Sequence, residues 1–343
     1  MEHEITQKGR LLDKQGRLRE PGYARSLLLN YSRDDIRAAK HRIKEWDYYL
    51  ICNDDFAAAF TVADNGYMSL LSASLLDFTV PWQQTTSPMS AFPMGKLNLP
   101  RSSAFGITQG KIKNTVLRFE VKDGIRRLSC HMDSFKDKKP LDAEFILSDE
   151  PRDSMVIATP FPKHPRAFYY NQKIIGMRAE GKLCFDGRDY IFSPDNSFGL
   201  LDWGRGVWTY KNTWYWGAAG GRLDGEHFGF NIGYGFGDTS AASENMLFYK
   251  GIAHKLGRLT FDIPKKNGKD DFMSPWKIAS DDGRFNMDFV PTLDRAAKTD
   301  VLLICSDQHQ VFGKFSGQAV LDDGTVLHIK DFTGFAEKVF NKW

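Results

Sequence analysis

Residues 117–132 read LRFEVKDGIRRLSCHM, and this stretch decides the fold class. Leu117, Phe119 and Val121 alternate with Arg118 and Glu120 ahead of Asp123-Gly124, and Leu128, Cys130 and Met132 alternate behind it. An apolar–polar period of two marks a strand with one face on a core. The Asp-Gly pair supplies the two positive φ angles of a type I′ hairpin turn. The same punctuation recurs at Asn65-Gly66, Asp186-Gly187, Asp224-Gly225, Asp282-Gly283 and Asp323-Gly324, while Asn267-Gly268 interrupts a charged loop. Phe285, Met287 and Phe289, and Thr325, Leu327 and Ile329, repeat the alternation. No helical pattern separates consecutive strands, which excludes a parallel βαβ architecture. The expectation is a large all-β protein of antiparallel hairpins, hence barrels or sandwiches.

Outside these hairpins one helix is expected. Ser32 has the chemistry of an N-cap with Asp35 three residues on, and Ile36, Ala39, Ile43, Trp46 and Leu50 follow at alternating spacings of three and four. Residues 1–30 read as an arm, with KGRLLDKQGRL forming a small hairpin. The proline-rich tract between Asp149 and Arg166 is the natural boundary between two β domains, 1–165 and 166–343, because repeated proline cannot sit in a central strand. A second proline-rich loop, 79–105, is long enough to cover something.

With 343 residues, 46 Lys+Arg against 43 Asp+Glu and no dense basic run, the chain has no electrostatic footprint for nucleic acid. The charged N-terminus has no secretory h-region and no apolar run reaches spanning length, so a cytoplasmic protein without an integral membrane segment is expected. Cys52, Cys130, Cys184 and Cys305 are far apart and read as reduced structural thiols. No HExxH, Cys/His cluster, GxSxG or Walker pattern is present, so no metal is expected, nor a serine nucleophile or a bound nucleotide.

The chemistry concentrates in SFGLLDWGRGVWTYKNTWYWGAAGG, residues 197–221, which holds Trp203, Trp208, Trp214 and Trp216 with one acid, Asp202, and one base, Arg205. A carboxylate desolvated among aromatics rises in pKa and becomes a proton donor near neutral pH, whereas an adjacent Arg205 would hold it ionised in a structural pair. Behind it, FGFNIGYGFG (228–237) has one face of Phe228, Phe230, Ile232, Tyr234 and Phe236 and another of Gly229, Asn231, Gly233, Gly235 and Gly237. The glycine face reads either as one wall of a cavity or as a close backbone approach. Asp202 is the candidate catalytic residue. Trp203, Arg205, Trp208, Trp214, Trp216, Asn231, Tyr234, Glu244 and Asn245 are the candidate substrate contacts. Asp238 reads as a turn residue, and His309, Gln310, Asp331 and Glu337 are weaker candidates.

FNIGYGFGDTSAASENMLFY (230–249), LLDWGRGVW (200–208), KLGRLTFDIP (255–264), PWKIASDDGRFNMDF (275–289), QVFGKFSG (310–317) and LDDGT (321–325) together resemble an uncharacterised family known only as a domain of unknown function. That family is distantly similar to the carotenoid 1,2-hydratase (hydroxyneurosporene synthase) group. The resemblance implies two tandem lipocalin-like antiparallel β-barrels. It also implies a small hydrophobic or amphipathic ligand of isoprenoid, lipid or polyketide type. Asp202, Gly204, Trp214 and Trp216 are the positions that match the hydratase pattern. The activity this implies is cofactor-independent proton transfer, such as hydration, isomerisation or cyclisation. The alternative is a lipocalin-like protein that binds such a ligand without converting it.

Overall fold

The computed structural model describes residues 2–301 and 304–342. Among them there is no α-helix, only two single 3-10 turns, Arg33–Asp35 and Lys40–Arg42, within an all-β protein. The hairpin logic holds where both turn residues take positive φ, at Asp123-Gly124, Asp186-Gly187, Asp224-Gly225 and Asn267-Gly268. At Gly66, Gly283 and Gly324 only the glycine does so. Asp137 and Lys138 make a tight turn of the same kind with no glycine to announce it.

The strands used below are β1 (Lys44–Cys52), β2 (Phe56–Asp64), β3 (Met68–Asp77), β4 (Gly106–Ile112), β5 (Thr115–Lys122), β6 (Ile125–Lys136), β7 (Lys139–Ser148), β8 (Met155–Phe161), β9 (His164–Phe185) and β10 (Phe198–Val207). They form the larger sheet in the order β3-β2-β1-β10-β9-β7-β6-β5-β4, with β8 on β9. The smaller sheet contains β11 (Lys211–Leu223), β12 (Glu226–Tyr234), β13 (Met246–Tyr249), β14 (Ile252–Lys255), β15 (Leu259–Asp262), β16 (Trp276–Ser280), β17 (Phe285–Val301), β18 (Ile304–Val320) and β19 (Val326–Lys342). Its order is β14-β13-β12-β11-β19-β18-β17-β16-β15, so β19 is inserted between β11 and β18. The chain passes from one sheet to the other between Val207 and Lys211, beyond the proline-rich tract, most of which is β8 and its flanking turns.

Each sheet curls around its own core. In the larger one Tyr49 of β1 meets Phe119 of β5 at 5.1 Å and Phe60 of β2 meets Phe145 of β7 at 5.8 Å, although several strands separate each pair along the sheet. In the smaller one Phe230 of β12 meets Phe285 of β17 at 5.1 Å. A third apolar cluster lies between the sheets, built from Tyr48, Leu50, Tyr169, Ile175, Leu200 and Trp208 on one side and Trp216, Ala218, Phe248, Phe312 and Phe335 on the other. Strands β1, β9 and β10 are therefore buried on both faces.

That double burial corrects the expected helix. Ser32 makes no side-chain cap hydrogen bond, and Trp46 and Leu50 belong to strand β1. A strand covered on both sides is a near-continuous apolar run, from which spacings of three and four can be picked out as readily as two.

The glycine face is settled in favour of close approach. A Cβ on Gly220 would stand 2.7 Å from the backbone nitrogen of Gly176, and one on Gly229 would stand 2.7 Å from Ile175 Cγ2. Gly176 itself, at φ +80°, sits where the β9–β10 register shifts between Ile175 and Met177. The two sheets thus touch backbone to backbone. Gly220→Ala is expected to destabilise the protein by about 1–3 kcal/mol, since no side-chain rotation relieves an overlap with backbone. An unchanged urea midpoint would contradict that contact.

Candidate functional site

Strand pairing alone lines up the residues of the seam. On the seam face of the larger sheet Asp202 of β10 pairs with Tyr48 of β1 on one side and Lys173 of β9 on the other. One step along, Gly204 pairs with Trp46 and Asn171. Gly204 has no side chain because the Trp46 indole occupies that volume. The facing row on the smaller sheet runs Gly233, Trp216, Glu337, Gln310 and Arg295 across β12, β11, β19, β18 and β17.

Asp202 is 8% exposed and accepts from three donors: Trp46 Nε1 at 3.0 Å, Asn171 Nδ2 at 2.6 Å and Lys173 Nζ at 3.0 Å. Buried Lys173 also reaches Glu244 Oε2 at 3.8 Å and lies 4.0 Å over the Trp216 ring. Asn231 bridges the two, accepting from Trp216 Nε1 at 2.7 Å and donating to the Glu244 carbonyl at 2.8 Å. Glu337 accepts from Trp214 Nε1 and from Gln310 Nε2, each at 3.0 Å.

Lys173 is thus within ion-pair reach of Asp202 and Glu244 and its charge extends to Glu337, while Lys255 adds a second positive charge near Glu244. Desolvation raises Glu244 above the usual carboxylate range, with Asp202 adding to the rise and Lys173 and Asn231 opposing it. The same desolvation brings Glu337 up to about 7, against the pull of Trp214, Lys173 and Gln310. Burial, reinforced by Asp202, Glu244 and Glu337, lifts the Tyr169 phenol well above its ordinary value, so its hydroxyl stays protonated. The Glu337 carboxyl thus holds an exchangeable proton near neutrality in an apolar setting, which suits general acid–base chemistry.

Aromatic rings close over these groups. Tyr169 stacks on Trp46 at 6.1 Å, and Phe236 stands edge-on to Tyr169 at 4.8 Å and to Trp208 and Trp214 at 5.4 Å each. Trp46, Trp214 and Phe236 are only half-buried.

Of the sequence-selected residues, Asp202, Trp208, Trp214, Trp216, Asn231 and Glu244 come together here, joined by Gln310 and Glu337. Trp203, Arg205, Tyr234 and Asn245 do not. Arg205 and Trp203 point into the core of the larger sheet, where Arg205 contacts the Asp47 carboxylate at 2.9 Å and the carbonyls of Trp46, Gly204 and Pro100. The Asp202–Arg205 ion pair is therefore corrected: an odd sequence separation puts the two on opposite faces of one strand. Tyr234 stacks on Tyr215 at 4.5 Å and accepts from the Phe261 amide on the far side of the smaller sheet. Asn245 bonds the backbone of Gly233 and Gly257. His309 pairs with Asp294 at 2.6 Å and stacks on Phe272, and Asp238 caps the Ser240 amide in a turn. Asp331 accepts from Ser316 at the surface.

Trp46, Tyr169, Asn171 and Lys173 were not among the selected residues. The signal for the last two lay in AFYYNQKIIGM (167–177), where Asn-Gln-Lys interrupts an apolar strand; such a polar triplet in the middle of a run needs buried partners.

Two cavities lie elsewhere. One of about 410 Å³ opens beside Val207, lined by Arg17, Arg37, Arg42, Lys163, His164 and Arg166 around Ala38 and Ala167. A much smaller one lies between Leu200 and Ala218. Neither is lined by Asp202. Among the described residues no group of three His, Cys, Asp or Glu side chains is placed to hold a metal ion, and no helix is long and apolar enough to cross a membrane.

Residues 2–343 match the sequence profile of a domain of unknown function (DUF2804). The structure is similar to kievitone hydratase from Nectria haematococca, with a TM-score of 0.54 at 11% identity over 88% of each chain. It is also similar to an AttH protein from Nitrosomonas europaea, with a TM-score of 0.56 at 13% identity over 90% of this chain and 96% of that one. At such identities the likeness is one of fold. No curated protein matches the sequence.

Proposed function

The chain belongs to the DUF2804 family, and from that premise we propose that it is a cofactor-independent enzyme that adds, removes or relocates a proton on a hydrophobic small molecule. The observation behind this reading is the seam cluster, with Glu337 poised near pH 7 beside Asp202, Lys173 and Glu244. In a hydration, the Glu337 carboxyl gives its proton to one carbon of a double bond. The π-faces of Trp214, Trp208 and Tyr169 stabilise the positive charge on the other carbon. Water adds there and returns a proton to the carboxylate. Asp202 and Lys173 form a fixed pair that sets the field in which this happens. Phe236, a half-buried ring at the edge of this aromatic cover, is the side chain past which the substrate enters. We read the two curled sheets as tandem lipocalin-like barrels, with the division placed at 208–210. The likeness to kievitone hydratase supports the reaction class by analogy only.

A second reading is favoured by one feature: all three donors around Asp202 are satisfied within the protein. On it, the protein binds a hydrophobic ligand without converting it. Native mass spectrometry of the purified protein identifies a co-purified ligand, and Asp202→Asn then separates the two readings. The amide replaces an acceptor with a donor opposite Trp46 or Lys173. The expected result is turnover reduced by roughly 10–100-fold with ligand still bound. Full turnover in the variant would remove Asp202 from the mechanism, and failure to find any conversion of the bound ligand would favour the binding protein.

A further inference from the structure

The 410 Å³ cavity beside Val207 has a composition unlike the rest of the chain. Lysine and arginine barely outnumber acids overall, 46 to 43, yet its wall holds Arg17, Arg37, Arg42, Lys163, Arg166 and His164 and no carboxylate. Among the described residues none of these six side chains forms an ion pair with a carboxylate, although the Arg17 backbone N–H donates to Asp13 Oδ1 at 2.9 Å. They converge from three separate stretches of chain: the N-terminal arm, the segment before β1, and the β8–β9 hairpin, with Lys163 in its turn at φ +63° and His164 and Arg166 at the start of β9. Two are held in place. The Arg37 stem lies across Gly16, where a Cβ would stand 2.7 Å from Arg37 Cγ, and Arg42 donates to the Trp208 carbonyl at 3.3 Å. Like charges gathered without counter-charge repel one another, and an anion relieves that repulsion. The floor is apolar, with Ala38, Ala167 and Val207. Ala167 lies two residues along β9 from Tyr169 and shares with it the apolar cluster between the sheets, where Trp208 stands edge-on to Tyr169 at 6.5 Å, whereas Val207 packs into the core of the larger sheet.

We propose that this basin holds the phosphate head of an amphiphile whose apolar body runs past Trp208 and Tyr169 towards the seam cluster. Guanidinium forks match phosphate oxygens in pairs, and one carboxylate would leave most of the cations uncompensated. The inference rests on the proposed function for the fate of the apolar body, but the basin stands on its own geometry.

Isothermal titration with inorganic phosphate and with dodecyl phosphate, each at two salt concentrations, tests it. Dodecyl phosphate is expected to bind more tightly than inorganic phosphate, both weakening as salt rises. Arg37→Gln with Arg166→Gln, two exposed positions, weakens both by on the order of tenfold or more while the thermal midpoint stays put. No binding of either probe below about 1 mM overturns the proposal. So does phosphate binding that the alkyl chain does not improve, because the site then serves a free anion. Attachment to phosphatidylserine vesicles or to DNA without binding of the soluble probes makes it a surface patch and likewise overturns it. Glu337→Gln, which addresses turnover, leaves dodecyl phosphate binding intact, so the two readings fail separately.

Discussion

Lys173→Met is expected to lower the stability of the fold by about 3–5 kcal/mol, the usual consequence of stripping the partner from a buried charge. Lys173 is 3% exposed and is the ammonium on which Asp202, at 3.0 Å, and Glu244, at 3.8 Å, converge. Methionine keeps the length of the side chain and most of its packing over Trp216, so volume contributes little. What remains is a set of carboxyl groups with Asn171, Trp46 and Asn231 as their neutral donors. Glu244 and Glu337 respond by keeping their protons; Asp202 has its donors arranged for a charge. The double variant Lys173→Met, Asp202→Asn is therefore expected to be less destabilised than the sum of its parts, because replacing both partners of a buried pair costs less than removing one. Urea unfolding of the four species checks this. A single variant within about 0.5 kcal/mol of the parent would mean that Lys173 does not neutralise the seam.

Glu337→Gln carries the largest expected effect on activity, a loss of roughly 10²–10⁴-fold in turnover if this carboxyl is the proton donor. The direction in which stability moves makes the prediction specific. The folded protein holds Glu337 at about 7 against an ordinary value of 4.5. A carboxyl raised on folding contributes stability that is complete below about 4.5 and is lost as pH rises through about 7. The span of that loss is on the order of 3 kcal/mol. Glutamine keeps the acceptor for Trp214 Nε1 and needs no proton, so the variant should lack this slope and match or exceed the parent at pH 8. Turnover by the parent should fall above pH 7 as the donor ionises, while the residual rate of the variant does not follow that titration. Gained stability with lost turnover marks a residue kept for chemistry. Gained stability with full turnover would leave Glu337 outside the reaction. Lys44 works in a separate window: burial lowers it from 10.5 to about 7, so its contribution grows as pH rises from about 7 to 10.5 and does not obscure the Glu337 slope.

The hairpins were legible because an Asp-Gly turn has a local steric cause, which sets both φ angles positive at Asp123-Gly124, Asp186-Gly187 and Asp224-Gly225 though not at Asp282-Gly283 or Asp323-Gly324. The seam was legible only in part. Asp202 showed itself as a lone acid on an aromatic strand, and Asn231 as a polar side chain on a glycine face. Glu337 showed only as a weaker candidate, and Lys173 and Asn171 did not show, since they arrive by strand pairing across about thirty residues, which sequence spacing does not encode. Arg205 was close in sequence and for that reason drew attention, although the two-residue period of a strand already turns it away from Asp202. The helix over Ile36–Leu50 failed for a related cause: β1 serves two cores at once. Glycines 220 and 229 carried the right signal of close approach, and only the opposite sheet could say that Gly176 and Ile175 fill the space.

The insertion of β19 between β11 and β18 has a consequence for synthesis. A ribosome delivers Asp202, Lys173 and Asn171 long before Glu337, which sits on the strand the chain supplies after all the others described. Until Val326–Lys342 emerges, β11 lacks its neighbour and Trp214 has no acceptor for its indole N–H. A chain that has not yet added β19 therefore presents an unfinished, sticky seam with two of its three carboxyl groups. Only once β19 has joined the sheet can the seam hold the proton on which the proposed chemistry depends.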